Sequence, residues 1–412
     1  MQPFLINSSY SNVIDDFQQQ EVLINKLKHR FKTYGYRQIK IPAFEYYDMY
    51  ASINGIVNTD DMVKVMVPKG KVLVLRPDVT IPITQVMVNH PTTQNDRYFY
   101  IMDIFRYHDQ ANQVNERTQA GIEHFGKKSA TTDAEVIALA IHTLQDMGFI
   151  DFKMEIGHAG LFKALISLAG LSKQELIHLQ NFIQSKNIAE LEPYLNSLEI
   201  DDPLKELIRN IPFLYGLPGD VINAIQKYGL QENMQAELQH LIDVYDILKA
   251  YQLTDYIIFN LGLINDMDYY SDIIFQGFIE FIGEPVVMGG RYDQLGKQFG
   301  ASIPAIGFAY DLQLLERALQ RHELLATPTT ISDIIVYYHP SMQKKALTDT
   351  LHLRKCGYVV LSFPDQENSL TTSACTIHYQ KDSCTLINKG NSYQFHDITE
   401  VQELLVMQEG EV

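Results

Sequence analysis

Between Gly262 and Leu315 the chain concentrates tyrosines and carboxylates in three runs, NDMDYYSDIIF, VVMGGRYDQLGKQFG and IPAIGFAYDLQLL. Carboxylates pair with ammonium groups, and phenols and amides hydrogen-bond a carboxylate or an imidazole, so these residue types suit a small polar ligand that carries an amine. Positive charge is scarce there, which argues against a site built to grip nucleotide phosphates. Upstream, three more polar clusters interrupt apolar sequence: LRPDVT at 75–80, FRYH at 105–108 and TQAGIE at 118–123. Taken singly, each of these polar residues reads as a turn or strand-end cap. Arg106 reads equally as half of an ion pair with Asp103 or Glu123, and Arg291 with Asp293 as another. No HExxH, CxxC, Walker or GxGxxG pattern occurs, and His108, His124 and His158 are not at ligand spacing, so neither a metal nor a cofactor is expected.

Positioning these groups requires a sheet. An apolar run before a Gly289-Gly290 turn, then a helix-period segment opened by Ile303-Pro304, predicts two strands and a closing helix. Val13, Phe17, Ile24, Leu27 and Phe31 fall on one face of a first helix that stops before Gly35 and feeds a strand at 37–41. A hairpin with Pro68-Lys69-Gly70 as its turn runs into the LRPDVT cluster. The aromatic, β-branched segment 98–107 predicts a largely buried strand, and AGIEHFG a second, which puts Arg106 and Glu123 on neighbouring strands. Thr132 with Glu135 makes a capping box for a helix reaching Gly148. From about 160 to 250, Leu at three- and four-residue spacing indicates a helical insertion, after which a strand at 256–261 resumes the sheet. Strands, helices and strands in that order predict an antiparallel α+β core over 1–322. The aperiodic HELLATPTTIS supplies a linker at 323–331, and 332–412 reads as a small α/β domain with a helix at 343–355.

Composition narrows the function classes. In 412 residues, 33 Lys+Arg oppose 50 Asp+Glu for a net charge of -17, which disfavours a nucleic-acid partner because such affinity rests on phosphate neutralisation. From Asp333 onward six Lys/Arg face ten Asp/Glu. The three cysteines, Cys356, Cys375 and Cys384, lie at no metal spacing and cannot all pair. No signal segment and no apolar run approaching the ~18 residues of a membrane span is evident, so a cytoplasmic protein with no membrane contact is expected.

The ordered set LRPDVT, FRYH, TQAGIE, MDYYS at 267–271, GGRYDQL at 289–295 and PAIGFAYDL at 304–312 resembles the histidyl-tRNA synthetase catalytic core across more than half the chain. The resemblance implies a class II aminoacyl-tRNA synthetase-like fold, an antiparallel sheet flanked by helices, usually dimeric. It also implies that the residues at Asp78, Thr80, Gln119, Glu123, Tyr269 and Tyr270 hold histidine. The departures fall on phosphate chemistry. An arginine expected ahead of the tyrosine pair is Asn265, and the γ-phosphate arginine of the third motif, after GFAxGLE, is Leu314. Arg106 remains as a vestige of the phosphate site, and Arg117 is the only cation of the loop HDQANQVNERT. Losing one preorganised cation costs adenylation a factor of roughly 10² to 10³, so losing two should abolish it.

A histidine-binding core without phosphate cations resembles the regulatory subunits of ATP phosphoribosyltransferase, to which TQAGIE and GHAGLF are also similar. That resemblance implies a non-catalytic, cofactor-free subunit, a homodimer within a hetero-oligomer. It would activate the short-form catalytic subunit and relay feedback by histidine in the first step of histidine biosynthesis. An active synthetase and a free-standing histidine-binding paralogue are the alternatives.

Overall fold

The computed structural model describes residues 13–53, 58–89, 95–108, 113–264, 269–325, 332–365, 375–388 and 390–409. They belong to two compact units, one spanning Gln20–Leu325 and one containing the C-terminal residues from Ala326.

Helix α1 (Val13–Thr33) buries Leu23, Leu27 and Phe31, which share a stripe at four-residue spacing. Phe17, expected on that stripe, is exposed. The strand expected at 37–41 shortens to β1 (Arg37–Gln38), closed by one further bond from Ile39 N–H to the Phe99 carbonyl at 2.9 Å. Strand β2 (Phe44–Tyr46), helix α2 (Tyr47–Ala51) and strands β3 (Lys64–Met66) and β4 (Val72–Leu75) follow. β2, β4 and β3 form a three-stranded sheet, with Pro68–Gly70 between β3 and β4 as anticipated. Helix α3 (Thr80–Asn89) then leads to β5 (Asn95–His108) and β6 (Gln113–Gly126), two 14-residue strands paired antiparallel.

Helix α4 (Ala130–Asp146) is capped by Ser129, whose hydroxyl accepts Thr132 N–H at 3.1 Å, and the Thr132–Glu135 capping box does not form. Glu135 is instead taken by the Arg97 guanidinium in a two-pronged bond at 2.8 and 2.9 Å, stronger than a neutral cap contact. After β7 (Phe152–His158) come α5 (Ala159–Ala169), α6 (Lys173–Gln184), α7 (Ile188–Ser197), α8 (Asp202–Asn210), β8 (Tyr215–Gly216), α9 (Pro218–Ile225) and α10 (Glu232–Ala250). The buried leucines of this helical stretch, among them Leu191, Leu195 and Leu241, join the same core as α4.

Strands β9 (Ile257–Asn260), β10 (Ile273–Ile279), β11 (Val287–Arg291) and β12 (Ala305–Asp311), then helix α11 (Leu312–Arg321), complete the unit. Two expectations fail here. Gly289 and Gly290 lie inside β11 and make no turn, and Ile303-Pro304 leads into β12 and not into a helix. The glycines serve close approach: a side chain on Gly289 would strike the Phe275 ring and one on Gly290 the Tyr270 ring.

The main sheet has nine strands in the order β1-β5-β6-β12-β11-β10-β7-β9-β8. It is antiparallel through its middle and parallel only at β1/β5 and β7/β9. One face carries a core with α1, α4, α10 and α11; the other carries a separate core in which Val74, Ile81, Tyr100, Ile104 and Tyr292 are buried.

In the C-terminal unit β13 (Ile334–Tyr338), α12 (Gln343–Lys355), β14 (Val360–Pro364), β15 (Cys375–Tyr379), β16 (Cys384–Asn388) and β17 (Asn391–Gln394) form a five-stranded sheet in the order β14-β13-β15-β16-β17. A last helix, α13 (Ile398–Glu409), was not anticipated and buries Ile398 and Val401. The linker expected at 323–331 lies outside the described residues from 326 onward. Among the described residues no helix is long and apolar enough to cross a membrane.

Candidate functional site

Alternation along the sheet builds the site. In β5, Tyr100, Ile104 and Arg106 point to the same face; their neighbours on β6 with that orientation are Arg117, Gln119 and Glu123, and on β12 Gly307, Ala309 and Asp311. These residues floor one cavity of about 650 Å³, walled by Asp78 and Thr80 at the head of α3, by Tyr269, Tyr270 and Tyr292, and by Leu314 on α11. All six residues expected to hold an amino acid, Asp78, Thr80, Gln119, Glu123, Tyr269 and Tyr270, therefore meet in one place, together with Arg106 and Leu314. Asn265 lies outside the described residues.

Glu123 sits at the bottom, 1% exposed. The Thr80 hydroxyl donates to its Oε1 at 2.6 Å and the Tyr292 hydroxyl to its Oε2. Burial pushes its carboxyl up to about 8, with the Asp78 charge adding to the rise and the two hydroxyl contacts opposing it. The approach is so close that a side chain on Gly307 would collide with the carboxylate and with the Ile122 carbonyl. Asp78 also acts as a cap, as its position after a strand suggested: its Oδ1 accepts Ile81 N–H at 2.8 Å. Burial raises its carboxyl, while that bond and the Arg106 charge oppose the rise. The Tyr269 ring stacks on Tyr292 at 5.4 Å and stands perpendicular to Tyr270 at 4.8 Å, giving the cavity an aromatic wall.

Charge in the cavity is lopsided. Among the described lining residues, Asp61, Asp78, Glu123, Glu284 and Asp311 face only two cations, Arg106 and Arg117. Both have internal partners. Arg106 donates Nε–H to the Pro77 carbonyl at 3.0 Å and forms no ion pair with Asp103 or Glu123 among the described residues; the Asp103 carboxylate accepts the Thr118 hydroxyl instead, and Arg76 donates to the Asp103 backbone carbonyl. Arg117 pairs with Asp311 at 3.0 Å. Leu314 presents no hydrogen-bonding group where the resemblance expects a phosphate-gripping arginine. The arrangement suits an ammonium-bearing ligand and not a polyphosphate.

Sequence reasoning gave no individual role to Tyr100, Tyr292 or Asp61. Tyr100 was findable, because it shares strand parity with Arg106; Tyr292 sits just after β11, where no periodicity rule reaches.

Behind the site lies a buried ionic network. Arg291 and Asp133 both have fully buried side chains and pair directly, and Arg291 also reaches Asp293 at 3.0 Å, the ion pair its spacing suggested. Asp133 accepts from His240 at 2.8 Å, and His158 approaches Asp272 at 2.6 Å. His158, His240 and Asp272 converge as metal ligands do, yet the Lys128 ammonium already contacts Asp272. His158 Nδ1 accepts Leu161 N–H at 3.1 Å, which leaves the ring proton on Nε2, the atom a metal would need. The donor chemistry is that of an ion-pair network. Its effect on the site is mechanical: Ser271 N–H bonds the Arg291 carbonyl at 2.7 Å and Lys163 bonds the Tyr270 carbonyl at 2.6 Å, which fixes the tyrosine pair against the sheet.

The fold and cavity define a class II synthetase-like protein with a pocket lined by carboxylates and phenols. The histidyl-tRNA synthetase family profile matches residues 13–315. An ATP phosphoribosyltransferase regulatory subunit from Oceanobacillus iheyensis is 45% identical over 95% of this chain and 94% of its own, and one from Ruminiclostridium cellulolyticum 32% identical over 85% and 84%. A Bacillus halodurans structure described as an ATP phosphoribosyltransferase regulatory subunit/histidyl-tRNA synthetase superposes with a TM-score of 0.75 at 25% identity, covering 86% of this chain and 91% of that one. A histidyl-tRNA synthetase from Nostoc, at 17% identity and a TM-score of 0.77 over 93% and 95%, shares the fold. The chain belongs to the family of ATP phosphoribosyltransferase regulatory subunits.

Proposed function

We propose that this chain is a non-catalytic, cytoplasmic subunit that assembles, as a homodimer, with a short-form ATP phosphoribosyltransferase catalytic subunit, activates it, and carries feedback inhibition by histidine. Histidine is the effector, held in the cavity with its ammonium group between Glu123 and Asp78 and its remaining polar atoms within reach of Thr80, Gln119, Tyr269 and Tyr270. The observation that carries the reading lies on one sheet face: carboxylates and phenols of the kind that bind an amine line the cavity together with Leu314, which stands where the resemblance expects the γ-phosphate arginine. A sensor needs a ligand whose affinity differs between two states of the assembly, and no chemistry.

Mixing the purified chain with a short-form catalytic subunit should stimulate phosphoribosyl transfer, and histidine should suppress the stimulated rate. Tyr270→Ala should weaken that suppression. Absence of stimulation would remove the regulatory reading, and unaltered suppression in Tyr270→Ala would move the histidine site elsewhere. Histidine-dependent pyrophosphate exchange by the chain alone would restore the synthetase alternative; none is expected.

A further inference from the structure

Glu123 is an acid buried at the base of a cavity with no cation assigned to it. Among the described residues no lysine, arginine or histidine pairs with it, and the two arginines that line the cavity are engaged with Pro77 and Asp311. The groups facing it are Thr80 from the head of α3, Tyr100 from β5, Tyr269, Tyr292 and the Asp78 carboxylate; β12 contributes only Gly307. His124, next along β6, alternates to the opposite side, where its ring meets Tyr36. Each facing phenol is itself held neutral by burial, so Asp78 supplies the one negative charge nearby. The contacts to both carboxylate oxygens are hydroxyls, and a hydroxyl can turn from donor to acceptor when the acid gains a proton. The two hydroxyls can therefore meet either form of the acid; as donors they favour the carboxylate, burial favours the neutral carboxyl, and a positive charge entering the cavity would shift the balance to the carboxylate.

We propose that the cavity admits its ligand as an ammonium cation in exchange for the proton that Glu123 carries when the cavity is empty, so that a free amine is required and pH sets affinity through Glu123. This rests on the histidine reading above and adds its regulation. The exchange balances: the neutral carboxyl loses its proton to solvent, the ligand keeps its three ammonium protons, and the resulting carboxylate and ammonium pair. Burial accounts for the empty state, since it holds the carboxyl at about 8. At pH 7 roughly nine in ten empty cavities then hold the proton.

Calorimetry of histidine binding to the full chain, in two buffers of unequal ionisation enthalpy at pH 7, reads the exchange directly. The expected result is release of about 0.9 proton per histidine bound and a Kd roughly eightfold lower at pH 7.5 than at pH 6.5. N-acetylhistidine, which lacks the ammonium, should not compete. Glu123→Gln should abolish the release while the contribution of histidine's own imidazole stays the same. Where that variant binds too weakly to measure, the wild-type buffer comparison decides alone: tight binding with equal enthalpy in both buffers overturns the exchange and leaves the histidine reading intact. Competition by N-acetylhistidine also overturns it. No binding of histidine at either pH overturns the reading and the exchange together.

Discussion

Replacing Arg291 with methionine isolates the anchor beneath the site. Its side chain and that of Asp133 are fully buried, and the guanidinium reaches Asp133 Oδ1 from Nε at 3.0 Å and Asp293 from Nη1 at 3.0 Å. Methionine fills most of the volume, so the cavity term is small and the cost is electrostatic. Asp133 would retain only the His240 ring, at 2.8 Å, and Asp293 would lose its buried partner. Breaking a buried pair by removing one member costs about 3–5 kcal/mol, because the other charge is left uncompensated. That is a large share of the ~5–15 kcal/mol by which folded domains are stable. Urea unfolding of the full chain, followed by far-UV circular dichroism, should show Arg291→Met losing that much. The double variant Arg291→Met, Asp133→Asn should recover more than about 1 kcal/mol, since the stranded charge is gone. A loss within about 1 kcal/mol for the single change, or plain additivity in the double, would refute the view that this pair fastens α4 to β11.

Two further changes probe the cavity without ligand. For Glu123→Gln, the sign follows from a folded-state carboxyl at about 8 against an ordinary 4.5. Below pH 4.5 both states are protonated; between 4.5 and 8 the unfolded chain ionises while the fold keeps its proton, so wild-type stability falls by up to about 1.4 kcal/mol per pH unit, and glutamine, a neutral mimic, lacks that slope. The melting-temperature gain of the variant should widen from pH 5 to pH 8, and a pH-independent gap would contradict it. For Gly307→Ala, the added methyl meets the Glu123 carboxylate and the Ile122 carbonyl; a loss of about 1–3 kcal/mol in thermal unfolding is expected, as for overpacking elsewhere, and an unchanged midpoint would show that β12 can shift freely.

How much of this was legible before the structure follows from what periodicity and motif carry. Strand 98–107 announced itself by its richness in aromatic and β-branched residues, and the structure extends it only at its ends, to Asn95 and His108. Helix 343–355 matched α12 to the residue. The errors concern residues whose role depends on what lies across the fold. Gly289-Gly290 reads as a turn because glycine permits one, but here the need is room for Phe275 and Tyr270, which no local rule can supply. Thr132 and Glu135 have cap spacing, but Arg97, 38 residues away, claims the glutamate. The candidate site gathers as expected because its residues were located by ordered motifs. The network of Arg291, Asp133, His240, Asp272 and His158 stayed hidden apart from its Asp293 contact, since its members come from β11, α4, α10, the bend before β10 and β7, with no shared spacing.

The charges at the start of α11 bear on the proposal that this sheet face binds an amine and no phosphate. A helix N-terminus and a nearby arginine are together a ready anion site. Here Asp311 occupies both: its Oδ1 accepts Leu314 N–H at 3.0 Å and its Oδ2 takes the Arg117 guanidinium at 3.0 Å. An internal carboxylate thus satisfies the donors that an external phosphate would seek, at a position where the third-motif pattern GFAxGLE carries glycine. Restoring an arginine at Leu314 alone would therefore leave a negative charge beside it. The carboxylates proposed for the amine, Glu123 and Asp78, come from β6 and the head of α3, and among the described residues neither shares a hydrogen bond with Asp311. The Glu123–Thr80 contact and the Arg117–Asp311 pair thus share one sheet face without a side chain in common, so on the proposed reading one could change without disturbing the other.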